Sequence, residues 1–81
     1  MKTIPERDNK MYKTWIIEFG NDKFRASQSK IYPRIGQWTL LRYEPPLFKT
    51  FPIGSWHTIA SDKKFKELAD IKKFIRNREY M

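Results

Sequence analysis

The chain has 81 residues, with 17 Lys and Arg against nine Asp and Glu, so its formal net charge is +8 at neutral pH. This length fits one small domain, and six Phe, four Tyr and three Trp supply large rings for a core. The absence of cysteine excludes disulfides and thiolate metal sites, and no apolar run reaches the roughly 20 residues of a membrane span. We therefore expect a cytoplasmic protein without a signal peptide or a membrane partner.

The N-terminal part of the sequence predicts an arm followed by a strand. Residues 1–12 are polar and contain Pro5, so we expect a flexible N-terminal arm and a single basic domain over residues 13–81. Residues 13–19 alternate with period 2, which is typical of a half-buried strand. Its inward side chains are Trp15, Ile17 and Phe19.

The next segment predicts the second strand of a hairpin. Residues 20–22 read Gly-Asn-Asp, and residues of these types tolerate the positive φ of a tight turn. Residues 23–27 then alternate again. The inward residues are Phe24 and Ala26, and the outward ones are Lys23 and Arg25.

The middle of the chain predicts further strands. Residues 37–43 are rich in Trp, Thr, Leu and Tyr, and Pro45 and Pro46 end this third strand because proline cannot donate to a ladder. Residues 48–51 and 55–60 are expected to form one more strand, interrupted at residues 52–54 either by a bulge or by a break into two short strands.

The last segment predicts a helix. Ser61 or Asp62 is a suitable N-cap, and nothing breaks a helix between residues 63 and 78. An apolar stripe recurs at spacings of three and four, with Asp70 placed to pair with lysines on the opposite face. The stripe consists of Phe65, Leu68, Ile71 and Ile75. The expected fold class is α+β: a three- or four-stranded antiparallel sheet with a C-terminal helix packed on one face.

Positive charge is concentrated in one stretch of the sequence. Residues 23–43 contain five basic residues and no carboxylate, whereas a solvated surface normally mixes both signs. The basic residues are Lys23, Arg25, Lys30, Arg34 and Arg42. A positive field of this kind attracts polyanions, so we expect this stretch to hold the principal binding surface.

Aromatic residues lie among these charges in two places. The loop 28–36 places Tyr32 between two of the basic residues, where its ring either stacks on an unpaired base or folds back on the core. If Trp38 and Arg42 form the outward alternate of the third strand, a ring and a guanidinium share the open sheet face; otherwise Trp38 belongs to the core. The helix adds candidate phosphate contacts at Lys66, Lys73, Arg76 and Arg78.

Catalytic and metal-binding patterns are absent from the sequence, apart from one histidine. There is no glycine-rich phosphate loop and no H-E-x-x-H, so we expect no cofactor, no metal site and no catalytic residue. The run Gly54-Ser55-Trp56-His57 resembles the Gly-Ser-His motif of the HicA-type toxin ribonucleases, with Trp56 inserted. That resemblance implies a double-stranded-RNA-binding-like fold and a catalytic role for His57; we favour a structural or polar role for this residue.

These observations favour a small basic nucleic-acid-binding protein, with RNA preferred over DNA. It would bind mainly through phosphate contacts with some aromatic stacking, as an accessory or regulatory factor of a phage or another mobile element. The first alternative is a basic adaptor or inhibitor that docks on an acidic protein. The second is a small ribonuclease that uses His57. A homodimer formed through strand edges is compatible with the pattern.

Overall fold

The computed structural model describes residues 1–46, 54–62 and 65–80. In this part of the chain, five antiparallel strands form one sheet in the order β1-β2-β3-β4-β5, and one helix follows them. The elements are β1 (Lys2–Asp8), β2 (Tyr12–Phe19), β3 (Asp22–Ser29), β4 (Trp38–Glu44), β5 (Ser55–Asp62) and α1 (Leu68–Arg76). The fold class is α+β, and the sheet has five strands where the sequence predicts three or four.

The additional strand is β1, at one edge of the sheet, in the segment where the sequence predicts a flexible arm. It pairs antiparallel with β2, and the register shifts between Pro5 and Arg7. Proline is tolerated at this position because an edge strand needs no hydrogen-bond donor on its outer side. A segment with one proline and many polar residues can therefore pair as a strand when a neighbouring strand is available.

The β2–β3 hairpin confirms the period-2 prediction. Phe19 pairs with Asp22 across a two-residue turn, in which Gly20 has a φ of +63°, a value that glycine adopts without steric cost. Ile17, Phe24 and Ala26 are completely buried on the side of the sheet that faces α1.

The structure of β4, the predicted third strand, shows which of its two sets of alternating side chains points inward. Trp38 and Leu40 are buried in the same core as α1, so the intervening Thr39 and Leu41 lie on the opposite side of the sheet. We call that opposite side the open face. Strand β5 pairs with β4 with one register shift. The predicted strand over residues 48–51 lies outside the described residues.

Helix α1 begins later than predicted, because Ser61 and Asp62 pair with β4 as the end of β5 and therefore do not cap the helix. The carboxylate of Asp70 accepts hydrogen bonds from the backbone N–H groups of Lys66 and Glu67, at 2.9 and 3.1 Å. Among the described residues Asp70 forms no ion pair with a lysine, so the pairing suggested by the sequence is not observed there. This capping contact fixes the start of the helix.

The predicted apolar stripe is confirmed as the helical half of the core. Ile71 and Ile75 are completely buried, Leu68 packs on them, and Phe65 is buried just before the helix begins. The aromatic ring of Tyr80 packs edge-on against Phe24, so the segment after α1 also covers the sheet.

Candidate nucleic-acid interface

The open face carries Arg25 at its centre, with a contact on either side. The guanidinium forms an ion pair with Glu6 of β1: its Nη2 donates to one carboxylate oxygen at 2.9 Å, and its Nε lies 2.9 Å from the other. Its carbon lies 4.3 Å from the centre of the Trp56 ring of β5, within cation–π range. The outward direction predicted for Arg25 is correct. Its charge, however, is balanced by a carboxylate, so it is not an isolated positive charge on this surface.

Two further basic residues of the stretch 23–43 also form ion pairs with carboxylates. Lys30 forms an ion pair with Asp8 of β1. Arg42 pairs with Asp22 at 2.9 Å and lies over the Tyr80 ring on the helix side of the sheet. Three carboxylates from outside residues 23–43 thus neutralise three of the five positive charges in that stretch.

The pKa values of two carboxyls reflect these contacts. Partial burial raises the pKa of Glu6, but hydrogen bonds from Arg25 and Thr14 and the positive charge of Arg25 outweigh it, so the pKa lies below its ordinary value. The hydrogen bond from Lys30 lowers the pKa of Asp8, against a smaller opposing effect of desolvation. Both carboxyls are therefore ionised at neutral pH.

Trp38 is 2% exposed and lies in the core, where its ring centre is 5.1 Å from that of Trp15. Its ring is therefore not accessible for base stacking, which removes it from the predicted binding surface. The reason is the register of β4: Trp38 is opposite Gln28 of β3 and shares the helix-facing side with the buried Leu40.

Tyr32 is a strongly exposed aromatic residue, with 87% of its surface accessible. The β3–β4 loop that carries it is held by backbone hydrogen bonds from Ser29 N–H to the Gln37 carbonyl at 3.0 Å and from Gly36 N–H to the Ser29 carbonyl at 2.8 Å. Arg34, in the same loop, is exposed and has no ion pair among the described residues.

The β1–β2 turn lies beside this loop, because Lys30 N–H donates to the Met11 carbonyl at 2.8 Å. The two connections together expose basic and apolar side chains at one end of the sheet. We call this surface the tip, and it consists of Lys10, Met11, Ile31, Tyr32, Arg34 and Ile35. The Asp8 carboxylate lies beside the tip and is paired with Lys30.

The sequence prediction of the site missed Lys10 and Met11 of the tip, together with the neighbouring Tyr12. The sequence predicts a flexible N-terminal arm for residues 1–12, which include them. A hairpin signal was nevertheless present, because Asp8 and Asn9 are turn-forming residues and the period-2 alternation of β2 extends back to Tyr12.

The remaining predicted cations are dispersed. Lys66 lines a pocket with Ile35 and lies near the tip, before the start of α1. Lys73 and Arg76 are exposed on the last turns of the helix, and Arg78 and Lys23 are exposed elsewhere. The structure therefore brings the loop residues together with Lys66 but does not gather all eleven predicted residues on one surface.

His57 has contacts that differ from those of a catalytic triad. Its Nε2 atom lies 2.9 Å from the Ser55 hydroxyl and 3.3 Å from a Glu44 carboxylate oxygen. A triad uses one ring nitrogen for the nucleophile and the other for the carboxylate, whereas here one nitrogen meets both groups. All three residues are exposed.

No group of three or more His, Cys, Asp or Glu suited to a metal ion occurs within residues 1–46, 54–62 and 65–80. The helix in the described part of the chain is too short and too polar to cross a membrane. Comparison with protein families, with curated proteins and with solved structures finds no match.

Proposed function

We propose that this protein binds single-stranded nucleic acid, RNA in preference to DNA, through the tip. The observation that carries the proposal is the placement of an exposed Tyr32 beside Arg34 and Lys10, where the neighbouring carboxylate of Asp8 is already paired with Lys30. An exposed ring is suited to stack on an unpaired base, and the two cations are suited to contact the flanking phosphates.

Electrostatics support the tip over the strands as the phosphate-binding surface. Arg25 and Arg42 already have carboxylate partners at 2.9 Å, so a phosphate would have to displace those partners. Arg34 has no such partner in the described part of the chain. The net charge of +8 attracts a polyanion from a distance. At the tip, a phosphate can contact Arg34 without displacing a carboxylate from it.

The preference for unpaired RNA follows from the shape of the surface. Sequence-specific readers of duplex DNA place a helix or a ribbon in the major groove, whereas single-stranded RNA is bound largely by stacking on exposed rings. Tyr32 lies in a short loop, and its ring is exposed to solvent. The biological role that fits is an accessory or regulatory factor, such as one of a phage, that shields or sequesters RNA.

A second candidate function rests on the apolar side chains of the tip. Ile35 is 69% exposed and Met11 is 51% exposed, and neither contributes to phosphate binding. An acidic protein with an apolar pocket would use both the charges and these side chains. Binding to such a partner would depend on Ile35, whereas binding to RNA would depend on Tyr32.

The experiment is a fluorescence anisotropy titration with single-stranded RNA, duplex RNA and duplex DNA at about 50 and 200 mM salt. We expect the tightest binding to single-stranded RNA, with an affinity that falls steeply as salt rises. Tyr32→Ala should weaken binding by at least about fivefold, and Tyr32→Phe should retain it, because stacking needs only the ring. Absence of binding at the lower salt concentration would contradict the proposal.

The proposal assigns no catalytic chemistry to the protein. The same RNA samples provide the test, because a ribonuclease that used His57 as acid or base would lose roughly a hundredfold of its rate in His57→Ala. We expect intact RNA with the wild-type protein and unchanged affinity in the variant. Cleavage that disappears in a folded His57→Ala variant would favour the ribonuclease alternative.

A further inference from the structure

A groove on the open face runs from the β1 bulge toward the tip. It has a volume of about 370 Å³, and its walls come from β1, the β1–β2 turn, β2 and β3. Its size falls within the range of small-ligand sites. Its lining residues are Glu6, Arg7, Asn9, Tyr12, Thr14, Arg25 and Ser27.

The acceptor groups of this groove are already occupied. Glu6 accepts from Arg25 and, at 3.1 Å, from the Thr14 hydroxyl. The side-chain oxygen of Asn9 accepts from the backbone N–H groups of Met11 and Tyr12, both at 2.8 Å. These contacts fix the orientation of the Asn9 amide and turn its NH₂ group away from the backbone.

The polar groups that remain available are mainly donors. They are the NH₂ group of Asn9, the Ser27 hydroxyl, and the guanidinium of Arg7, which has no ion pair among the residues the structure describes. Glu6 and Arg25 cancel each other, so Arg7 gives the groove a net positive charge. A donor-rich, positively charged groove is suited to an anion such as a phosphate.

An aromatic ring lies at the rim of the same groove. Tyr12 is 41% exposed and belongs to the open face, as Thr14 does two residues later. Arg25, which also lines the groove, is held by the ion pair with Glu6 and by the Trp56 ring. A ring beside a set of anion-binding donors matches the two parts of a nucleotide, its base and its phosphate.

We propose that this groove binds one nucleotide of the strand held by the tip, with the base against Tyr12 and the phosphate at Arg7 and Asn9. The inference rests on the proposed function. It extends the path of the strand from Tyr32 across the β1–β2 turn and onto the open face, so that two rings contact successive parts of one RNA.

The test measures the affinity of the full chain for fluorescein-labelled hexauridylate RNA. The variants are Arg7→Gln and Tyr12→Ala, and the matched control is Lys13→Gln. Lys13 lies beside Tyr12 in the sequence, but its ammonium group is over the ring of Trp15, on the other side of β2. The control therefore removes the same unit charge from a nearby position outside the groove.

We expect Arg7→Gln and Tyr12→Ala each to weaken binding at least about fivefold more than Lys13→Gln does, while Tyr12→Phe binds as the wild type does. Wild-type binding with no excess loss in either groove variant would overturn the groove site and leave the tip proposal intact. Failure of the wild-type protein to bind the hexanucleotide would overturn both.

A second measurement keeps the inference testable if a variant does not fold. In the wild-type protein, addition of uridine 5′-monophosphate should shift the backbone amide NMR signals of the groove residues Arg7, Asn9, Thr14 and Ser27 more than those of α1. Shifts confined to the tip residues would contradict a nucleotide site in the groove.

Discussion

Two regions of the molecule carry arginines from the same stretch of sequence, and their surroundings differ. In the strands, Arg25 and Arg42 are partly buried, and each lies against a carboxylate and an aromatic ring. In the β3–β4 loop, Arg34 is exposed and has no ion pair within the described residues. The strand arginines therefore stabilise the sheet, and the loop arginine is available to a ligand.

The difference shows that a stretch of sequence without carboxylates can still have its positive charges paired with carboxylates in the folded protein. Glu6 and Asp8 come from the edge strand β1, and strand pairing brings them to Arg25 and Lys30, 19 and 22 residues away. A run without carboxylates can thus be neutralised wherever neighbouring strands supply them.

The largest expected effect compares two isoleucines. Ile71→Ala removes a completely buried side chain, which typically costs about 2 to 5 kcal/mol, so the melting temperature should fall by roughly 10 °C or more. Ile35→Ala changes an exposed tip residue and should change the melting temperature little. Thermal unfolding followed by circular dichroism measures both. Equal effects would show that the tip is packed or that α1 is not.

The next comparison uses two arginines. Arg42→Gln removes an ion pair and a contact with the Tyr80 ring, both partly exposed to solvent, and should cost about 0.5 to 1 kcal/mol of unfolding free energy. Arg34→Gln should leave the unfolding free energy unchanged and should weaken RNA binding. Urea denaturation gives the first quantity and anisotropy the second. A stable Arg42→Gln variant with impaired binding would reverse the assigned roles.

The smallest expected effect is a pH dependence. The pKa of Glu6 is lowered in the folded state, so its contribution to stability is present above about pH 4 and is lost as the pH falls through the folded-state value. Glu6→Gln should therefore be less stable than the wild type at pH 7, by up to about 1 kcal/mol, and the difference should vanish in acid. Urea denaturation between pH 7 and pH 3 measures it. A difference that grows in acid would contradict the ion pair.

Local patterns predicted the central part of the fold. The period-2 alternation of β2 and β3 and the apolar stripe of α1 are sufficient to orient Ile17, Phe24 and Ile71 toward one core. Those patterns depend only on neighbouring residues in the sequence. Strand β1 could not be predicted from its own sequence, because a segment with Pro5 and several charges has the composition of a coil. It forms a strand because it pairs with β2.

The candidate site was predictable only in part. The sequence names Tyr32 and Arg34 as candidates because they lie together in one loop, and the exposure of Tyr32 excludes the alternative in which its ring folds back on the core. Lys10 lies near them because the backbone hydrogen bond between Met11 and Lys30 brings the β1–β2 turn beside the β3–β4 loop. Local sequence patterns cannot predict a contact between residues so far apart in the chain. Trp38 was ambiguous because the alternation of β4 permits either face, and the packing of α1 selects the buried one.

The most direct test of the central claim, that the tip binds single-stranded RNA, compares two double variants of equal charge. Lys10→Gln with Arg34→Gln removes two cations from the tip, and Lys73→Gln with Arg76→Gln removes two exposed cations from α1. The measurement is the affinity for single-stranded RNA as a function of salt. We predict that the tip variant loses at least about tenfold in affinity and that its slope of log K against log salt flattens by about 1.4, the value for two phosphate contacts on a single strand. The helix variant should keep the wild-type slope. Equal losses in the two variants, or a larger loss in the helix variant, would contradict the assignment of the binding surface to the tip.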